Sequence, residues 1–165
     1  MGGGRLVVMI VAVLCAGLAA TGCATGELDA TAAFEESLKP NSALREAQLQ
    51  FREGNFGKSI DAYRAIVEAD TLNAEAWLGL AASYDEIHRF DLADESYNRV
   101  VSLIGETPAV LNNLGYSYYL RGDLETARTK LTAAHGLAPD NPYILNNINI
   151  LNRKLVSLGA APMPL

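Results

Sequence analysis

Apolar residues in most of this chain recur three and four positions apart. Leu111, Leu114, Gly115 and Tyr118 are one such set, and they fall on a single helix face. The pattern predicts helices over about 42–53, 57–70, 74–87, 91–103, 108–120, 124–136 and 142–157. Turn sequences separate them: Glu53-Gly54-Asn55, Arg89-Phe90-Asp91, Arg121-Gly122-Asp123 and Pro139-Asp140-Asn141. Pro108 and Pro142 suit first helical turns, where a missing N–H costs nothing. No stretch carries a convincing strand pattern, so the predicted class is all-α. The helical pattern fails at both ends. Leu6–Ala20 is an uncharged apolar run without a polar face, and Gly159–Leu165 carries two Pro and reads as a frayed tail.

The helices also repeat. Windows starting at Pro40, Ala74 and Pro108 each begin 34 residues after the last. Ala47, Ala81 and Gly115 share a column, as do Gly54, His88 and Gly122, then Ser59, Ala93 and Ala127, then Tyr63, Tyr97 and Leu131. Small columns let two helices approach closely, and large ones fill the adjoining gaps. A 34-residue period is a repeat signature, and the chain resembles the tetratricopeptide repeat family from about Pro40 to Asn141. Trp77, Leu80, Ala81, Tyr84, Phe90, Ala93 and Tyr97 fill the family's pattern in the second window. Leu111, Leu114, Gly115, Tyr118, Gly122, Leu124, Ala127, Ala134 and Pro139 fill it in the third. The first window is worn, with Gln50 at an aromatic position and Thr71 at a Pro position, as expected at a solenoid end. The resemblance implies a right-handed α-solenoid of three helix pairs at about 40–73, 74–107 and 108–141, closed by a capping helix at 142–157.

The first residues carry a different message. Arg5 precedes the apolar run, which is about 15 residues long against the roughly 20 that span a bilayer. Length, charge placement and the small residues that follow fit a signal peptide over 1–22. Ala20-Thr21-Gly22-Cys23 resembles the bacterial lipobox, which implies cleavage before Cys23, a diacylglycerol on its sulfur and acylation of the new N-terminus. Two acyl chains anchor stably where one is marginal. Ala24 follows Cys23 where the inner-membrane retention signal is Asp, so the resemblance implies an outer-membrane lipoprotein facing the periplasm. The competing readings are an ordinary signal peptide with a chance Cys and an uncleaved anchor. Residues 23–39 then form the lipidated N-terminus and a tether.

Charge and composition narrow the function. A net charge of -6 argues against a nucleic-acid partner. Two Cys and two His leave no multi-Cys zinc site and no disulfide framework. No phosphate loop, nucleophile elbow or His-Glu-x-x-His motif is present, so neither an enzyme, a small-molecule substrate nor a cofactor beyond the lipid is expected. His88 and His135 read as surface histidines, Asp85-Glu86 and Asp94-Glu95 as solvated acidic pairs, and Arg121-Gly122-Asp123 as a repeat turn rather than an adhesive tripeptide.

Function is expected on the concave face, which the first helix of each pair lines in this family. Gln48, Phe51, Leu78, Asn112, Asn113, Tyr116 and Tyr119 are candidates, joined by Tyr143, Asn146 and Asn147 of the cap. The Asn pairs lie 34 residues apart, and an Asn amide both donates and accepts, so stacked pairs could bracket a peptide backbone. The alternative is that one pair caps a helix or bonds between helices. Slots that hold Lys and Arg in carboxylate-clamping members here hold Leu44, Gln48, Gly79, Ala109 and Asn113, which disfavours a clamp on a chain terminus. Residues 40–106 carry 6 basic and 12 acidic groups, against 5 and 3 over 107–165. Leu111-Asn112-Asn113-Leu114-Gly115-Tyr116-Ser117-Tyr118, then Gly122-Asp123-Leu124, then Asn146-Asn147 after Pro139 resemble the lipoproteins of Flp/Tad pilus assembly, the TadD type, which combine a lipobox with about three repeats; the resemblance implies a secretin or pilus assembly subunit as partner. An adaptor for peptidoglycan hydrolases or another envelope assembly complex is the alternative.

Overall fold

The computed structural model describes residues 40–163, and every regular element among them is a helix. The signal peptide, Cys23 and the tether fall outside the described residues, as do Pro164 and Leu165. Three antiparallel pairs follow one another: α1 (Pro40–Arg52) with α2 (Phe56–Ala69), α3 (Ala74–Glu86) with α4 (Phe90–Ile104), and α5 (Pro108–Arg121) with α6 (Leu124–Leu137). A seventh helix, α7 (Pro142–Ser157), packs on α5 and α6. The odd-numbered helices start at Pro40, Ala74, Pro108 and Pro142, so the 34-residue period of the sequence is a period of structure.

Short side chains start the helices. Asn73, Thr107, Asp123 and Asn141 each accept a hydrogen bond from a backbone N–H of the first turn, satisfying donors that have no partner inside the helix. The turn inside each pair needs one left-handed residue. Gly54 (φ 75°) and Gly122 (φ 83°) supply it without strain, and His88 takes the same conformation at φ 57°.

Close packing inside a pair rests on the small column. A Cβ at Gly115 would lie 2.6 Å from Leu131 Cγ, so α5 and α6 meet at a distance only Gly allows. Ala47 and Ala81, the equivalents of Gly115, are fully buried. A second close approach links successive repeats: the Tyr63 ring lies over Gly79, where a Cβ would come within 2.2 Å of it.

The buried apolar residues form two clusters rather than one. Ile60, Tyr63, Leu80, Tyr84 and Tyr97 anchor the first, in repeats one and two. Leu111, Leu131, Ile144, Ile148 and Leu151 anchor the second, in repeat three and α7. Polar side chains stand at the seam between them. Asp85 of α3, only 1% exposed, accepts hydrogen bonds from Tyr97 Oη of α4 (2.8 Å) and Ser117 Oγ of α5 (2.7 Å). Arg121 at the end of α5 stands 3.8 Å from the same carboxylate and makes a two-pronged bond to Asp94 at 2.6 and 2.9 Å. Its guanidinium lies over the rings of Phe90 (4.9 Å to the centroid) and Tyr118 (5.2 Å). Asp85 is therefore a correction to the sequence expectation: it is a buried anchor and not part of a solvated pair. The Arg121-Gly122-Asp123 tripeptide is consumed structurally, with Asp123 capping α6.

The C-terminal residues also depart from expectation. Rather than fraying, residues 160–163 fold back against α6 and α7. Met163 is 5% exposed and joins the second apolar cluster. Asn152 of α7 donates to Met163 O (3.2 Å) and accepts from Met163 N (2.7 Å), while Arg128 of α6 donates to Ala161 O (2.9 Å). In the inner repeats an even-numbered helix follows each odd one and covers it. After α7 the returning tail does that covering.

Candidate functional site

The helix pattern places α1, α3 and α5 side by side, and a trough of about 340 Å³ runs along α3 between the other two. Its floor is low because Gly79 and Ala82 are small. Leu78 lies beside them: Leu78 and Gly79 stand four and three positions before Ala82, so each neighbours it on the helix surface. Phe51 of α1 rises on one side, Asn113 and Tyr116 of α5 on the other. Thus four expected groove residues, Phe51, Leu78, Asn113 and Tyr116, meet in one surface.

Sequence reasoning missed part of the floor. Tyr63 and Tyr97 belong to the even-numbered helices and carry the repeat's large column, yet both reach through to line the trough. Burial, reinforced by Glu75, pushes the Tyr63 hydroxyl up to about 12 even though Arg52 opposes the shift. Burial and the adjacent Asp85 hold the Tyr97 hydroxyl well above its ordinary range. Both phenols are neutral donors at any physiological pH.

The remaining charges of the trough are acidic. Glu75 and Glu86 stand near the two ends of α3, and Asp85, next to Glu86, is buried. Glu75 receives a hydrogen bond from Gln48 Nε2 at 2.9 Å, which places Gln48 at the trough's α1 end. Burial raises the Glu86 carboxyl, and the neighbouring Asp85 charge raises it further, against the opposing pull of His88 and the Tyr116 hydroxyl. No Lys or Arg lines the trough. Tyr119 leaves the trough but stacks on Tyr116, with ring centroids 5.9 Å apart and an interplanar angle of 20°.

The cap residues go elsewhere. Tyr143 is 75% exposed and stands with Asn112 and Asn113 around a shallow hollow between α5 and α7. Asn112 and Asn146 do not present a matched ladder. Asn112 is buried, and its side-chain oxygen accepts from Asn147 Nδ2 at 3.0 Å, tying α5 to α7. Asn146 faces outward beside Arg153 and Val156 on the free side of α7. A pair of hydrogen bonds from one Asn amide to backbone does occur, but at Asn152 and with the N–H and C=O of the chain's own Met163. Among the described residues no group of three or more His, Cys, Asp or Glu could hold a metal ion, and no helix is long and apolar enough to cross a membrane.

Comparisons with known proteins agree with this architecture. No curated protein matches the chain. Among solved structures, the first repeat domain of Spaghetti (RPAP3) bound to the HSP90 peptide SRMEEVD is similar at a TM-score of 0.59 and 22% identity, covering 73% of this chain and 95% of that one. The Yersinia enterocolitica type III secretion chaperone SycD, in complex with a peptide of the translocator YopD, gives 0.58 and 19%, covering 72% and 91%. Pseudomonas aeruginosa pilF gives 0.61 and 22%, covering 74% of this chain and 56% of that one. These likenesses show a shared fold. The tetratricopeptide repeat family model matches residues 44–104 and 83–142, more than half of the sequence. With its 34-residue helix pairs, small-column contacts and left-handed turns, this chain belongs to the tetratricopeptide repeat family.

Proposed function

We propose that the chain is a lipid-anchored scaffold of the bacterial envelope whose trough docks a segment of a protein partner during Flp/Tad pilus assembly. In this reading Cys23 carries the lipid, the outer membrane holds it, and the repeats face the periplasm. The protein is non-catalytic and takes no cofactor beyond the lipid. A secretin or a pilus assembly subunit is the partner. The trough on α1, α3 and α5 carries the reading, because it offers an open apolar floor beside aromatic side chains that keep a polar tip. The secretion chaperone among the structural neighbours holds a translocator peptide, which supports a secretion-linked role for the same fold. The peptide SRMEEVD bound by another neighbour is acidic at its end. A trough with Glu75, Asp85 and Glu86 and no lining cation would repel it.

The test places a photoreactive residue at Tyr116 in the full chain and crosslinks it in the native envelope. Capture of a secretin or a pilus subunit is expected. Capture of peptidoglycan hydrolases instead would move the role to cell-wall remodelling and refute the pilus assignment. In parallel, Cys23→Ala is expected to remove the protein from the membrane fraction. Unchanged fractionation would end the lipoprotein reading.

A further inference from the structure

The trough has a polarity that the docking reading leaves unused. Its floor lies along α3, and the two carboxylates that line it without being buried, Glu75 and Glu86, sit at opposite ends of that floor. Eleven residues separate them, or about 16 Å along a helix axis at 1.5 Å per residue. Between them the floor is Leu78, Gly79 and Ala82, which is apolar and shallow. No Lys or Arg is bonded to these ends, although His88 stands near enough to Glu86 to pull on its carboxyl. Arg121 is committed to Asp94 and Asp85. Arg52 is exposed at the end of α1, outside the lining, and Glu75 is held by the neutral amide of Gln48. At the other end Glu86 stands beside the buried Asp85 charge, so a cation placed there would relieve repulsion between two carboxylates as well as gain its own attraction.

An extended peptide advances about 3.3 Å per residue and only alternate side chains share a face, so two side chains four residues apart, about 13 Å, face the trough together, and their long basic stems cover the rest of the distance. We propose that the trough selects an extended partner segment with two basic side chains four residues apart and an apolar side chain midway between them. One basic group lies at Glu75, the other at Glu86, and the apolar group seats on the floor between Phe51 and Tyr116. The proposal rests on the trough being the docking surface, and it adds the chemistry and spacing of what docks.

The experiment measures binding of three synthetic peptides to the full chain by fluorescence anisotropy. One carries two Lys four residues apart with Leu midway between them, the second has Glu at those two positions, and the third keeps both Lys but makes them adjacent. Each is titrated against the unaltered protein, Glu75→Gln, Glu86→Gln, the double variant, and Ala82→Trp, which fills the floor. Circular dichroism confirms that every variant is folded. The spaced-lysine peptide is expected to bind at least tenfold tighter than the glutamate peptide and several-fold tighter than the adjacent-lysine one. Exposed ion pairs contribute about 0.2–1 kcal/mol, so each Gln variant should cost roughly threefold and the double variant about tenfold. If lysine and glutamate peptides bind alike and Ala82→Trp weakens both, charge selection is refuted while the trough remains a docking surface. If the two lysine peptides bind alike, the spacing is refuted. If no peptide binds, or Ala82→Trp changes nothing, the proposal and the docking reading fall together.

Discussion

Replacing Asp85 tests whether the polar seam holds the second and third repeats together. The carboxylate receives two short hydrogen bonds, from Tyr97 and Ser117, and its side chain is 2% exposed. Hydrogen bonds to a charged group contribute about 1.5–3 kcal/mol each, so Asp85→Ala removes on the order of 3–6 kcal/mol of interaction. Part returns, because a buried carboxylate no longer has to be desolvated. Tyr97 also keeps a fallback acceptor, the Asn113 carbonyl at 3.4 Å, and Arg121 keeps Asp94. The net loss expected is about 2–4 kcal/mol. At roughly 4 °C per kcal/mol for a domain of this size, thermal unfolding followed by circular dichroism should shift down by about 8–16 °C. An unchanged melting temperature would refute the claim that Asp85 ties the repeats.

The pH dependence gives an independent check. Burial raises the Asp85 carboxyl above its ordinary 3.8, although Ser117, Tyr97 and Arg121 all pull it back. A carboxyl raised in the folded state contributes stability that is present below its unfolded value and lost as pH climbs through the folded value. Glu86 is raised in the same direction. Asp91 works the other way: its bond to Arg89 lowers it to about 2, so its contribution is present above the unfolded value and lost in stronger acid. Asp85→Asn keeps the shape and removes only the first of these contributions. The melting temperature of the unaltered protein should therefore exceed that of Asp85→Asn most near pH 4, with the gap narrowing as pH rises to 7. A gap that stays constant or widens would show that the carboxyl is not held protonation-sensitive by burial.

Gly115→Leu should overpack the α5–α6 contact against Leu131 and cost about 1–3 kcal/mol; denaturant unfolding with an unaltered midpoint would count against the close approach. His88→Gly should relieve a left-handed residue and stabilise by up to about 1 kcal/mol, less the edge contact of the His88 ring with Phe90; a lowered midpoint would mean that the ring contact outweighs the strain. Asn152→Ala should release the tail from α7 at a cost of about 1–2 kcal/mol, and hydrogen exchange should then show faster exchange at the Met163 amide; unchanged protection would mean that Met163 is held by its apolar contacts alone.

The fold was legible because repetition supplies the same information three times. Any one window, such as the worn first, leaves its helix ends ambiguous. Superposing Ala47, Ala81 and Gly115 fixes which faces meet, and superposing Gly54, His88 and Gly122 fixes where the chain turns. The column marked a turn position even where His stands in it, and His88 there takes the left-handed conformation of its Gly equivalents. The tail was not legible for the opposite reason. It occurs once, has no equivalent in the inner repeats, and its Pro-bearing composition resembles that of an unpacked end. What holds it is Asn152 of α7 and Arg128 of α6, and contacts made by other elements do not show in the composition of 158–163.

The site shows where periodicity stops carrying information. A spacing of 34 correctly puts Asn112 and Asn146 at equivalent positions on successive helices. Equivalent positions are covered differently, however, because α7 packs on α5 while among the described residues no helix packs on the far side of α7. Asn112 is therefore enclosed and bonded to Asn147, while Asn146 stays in solvent. The same amide chemistry appears six residues further on, where Asn152 meets a free peptide edge that happens to be the chain's own. Asp85 makes the same point about charge. From the sequence, Asp85-Glu86 is a pair of acids on a helix. Burial of the first depends on Tyr97, 12 residues away, and Ser117, 32 residues away, and only the stacking of α3, α4 and α5 brings those hydroxyls to it. The repeat pattern specifies which side chains share a column, and neighbouring repeats decide whether a polar member of that column faces a partner or becomes part of the seam.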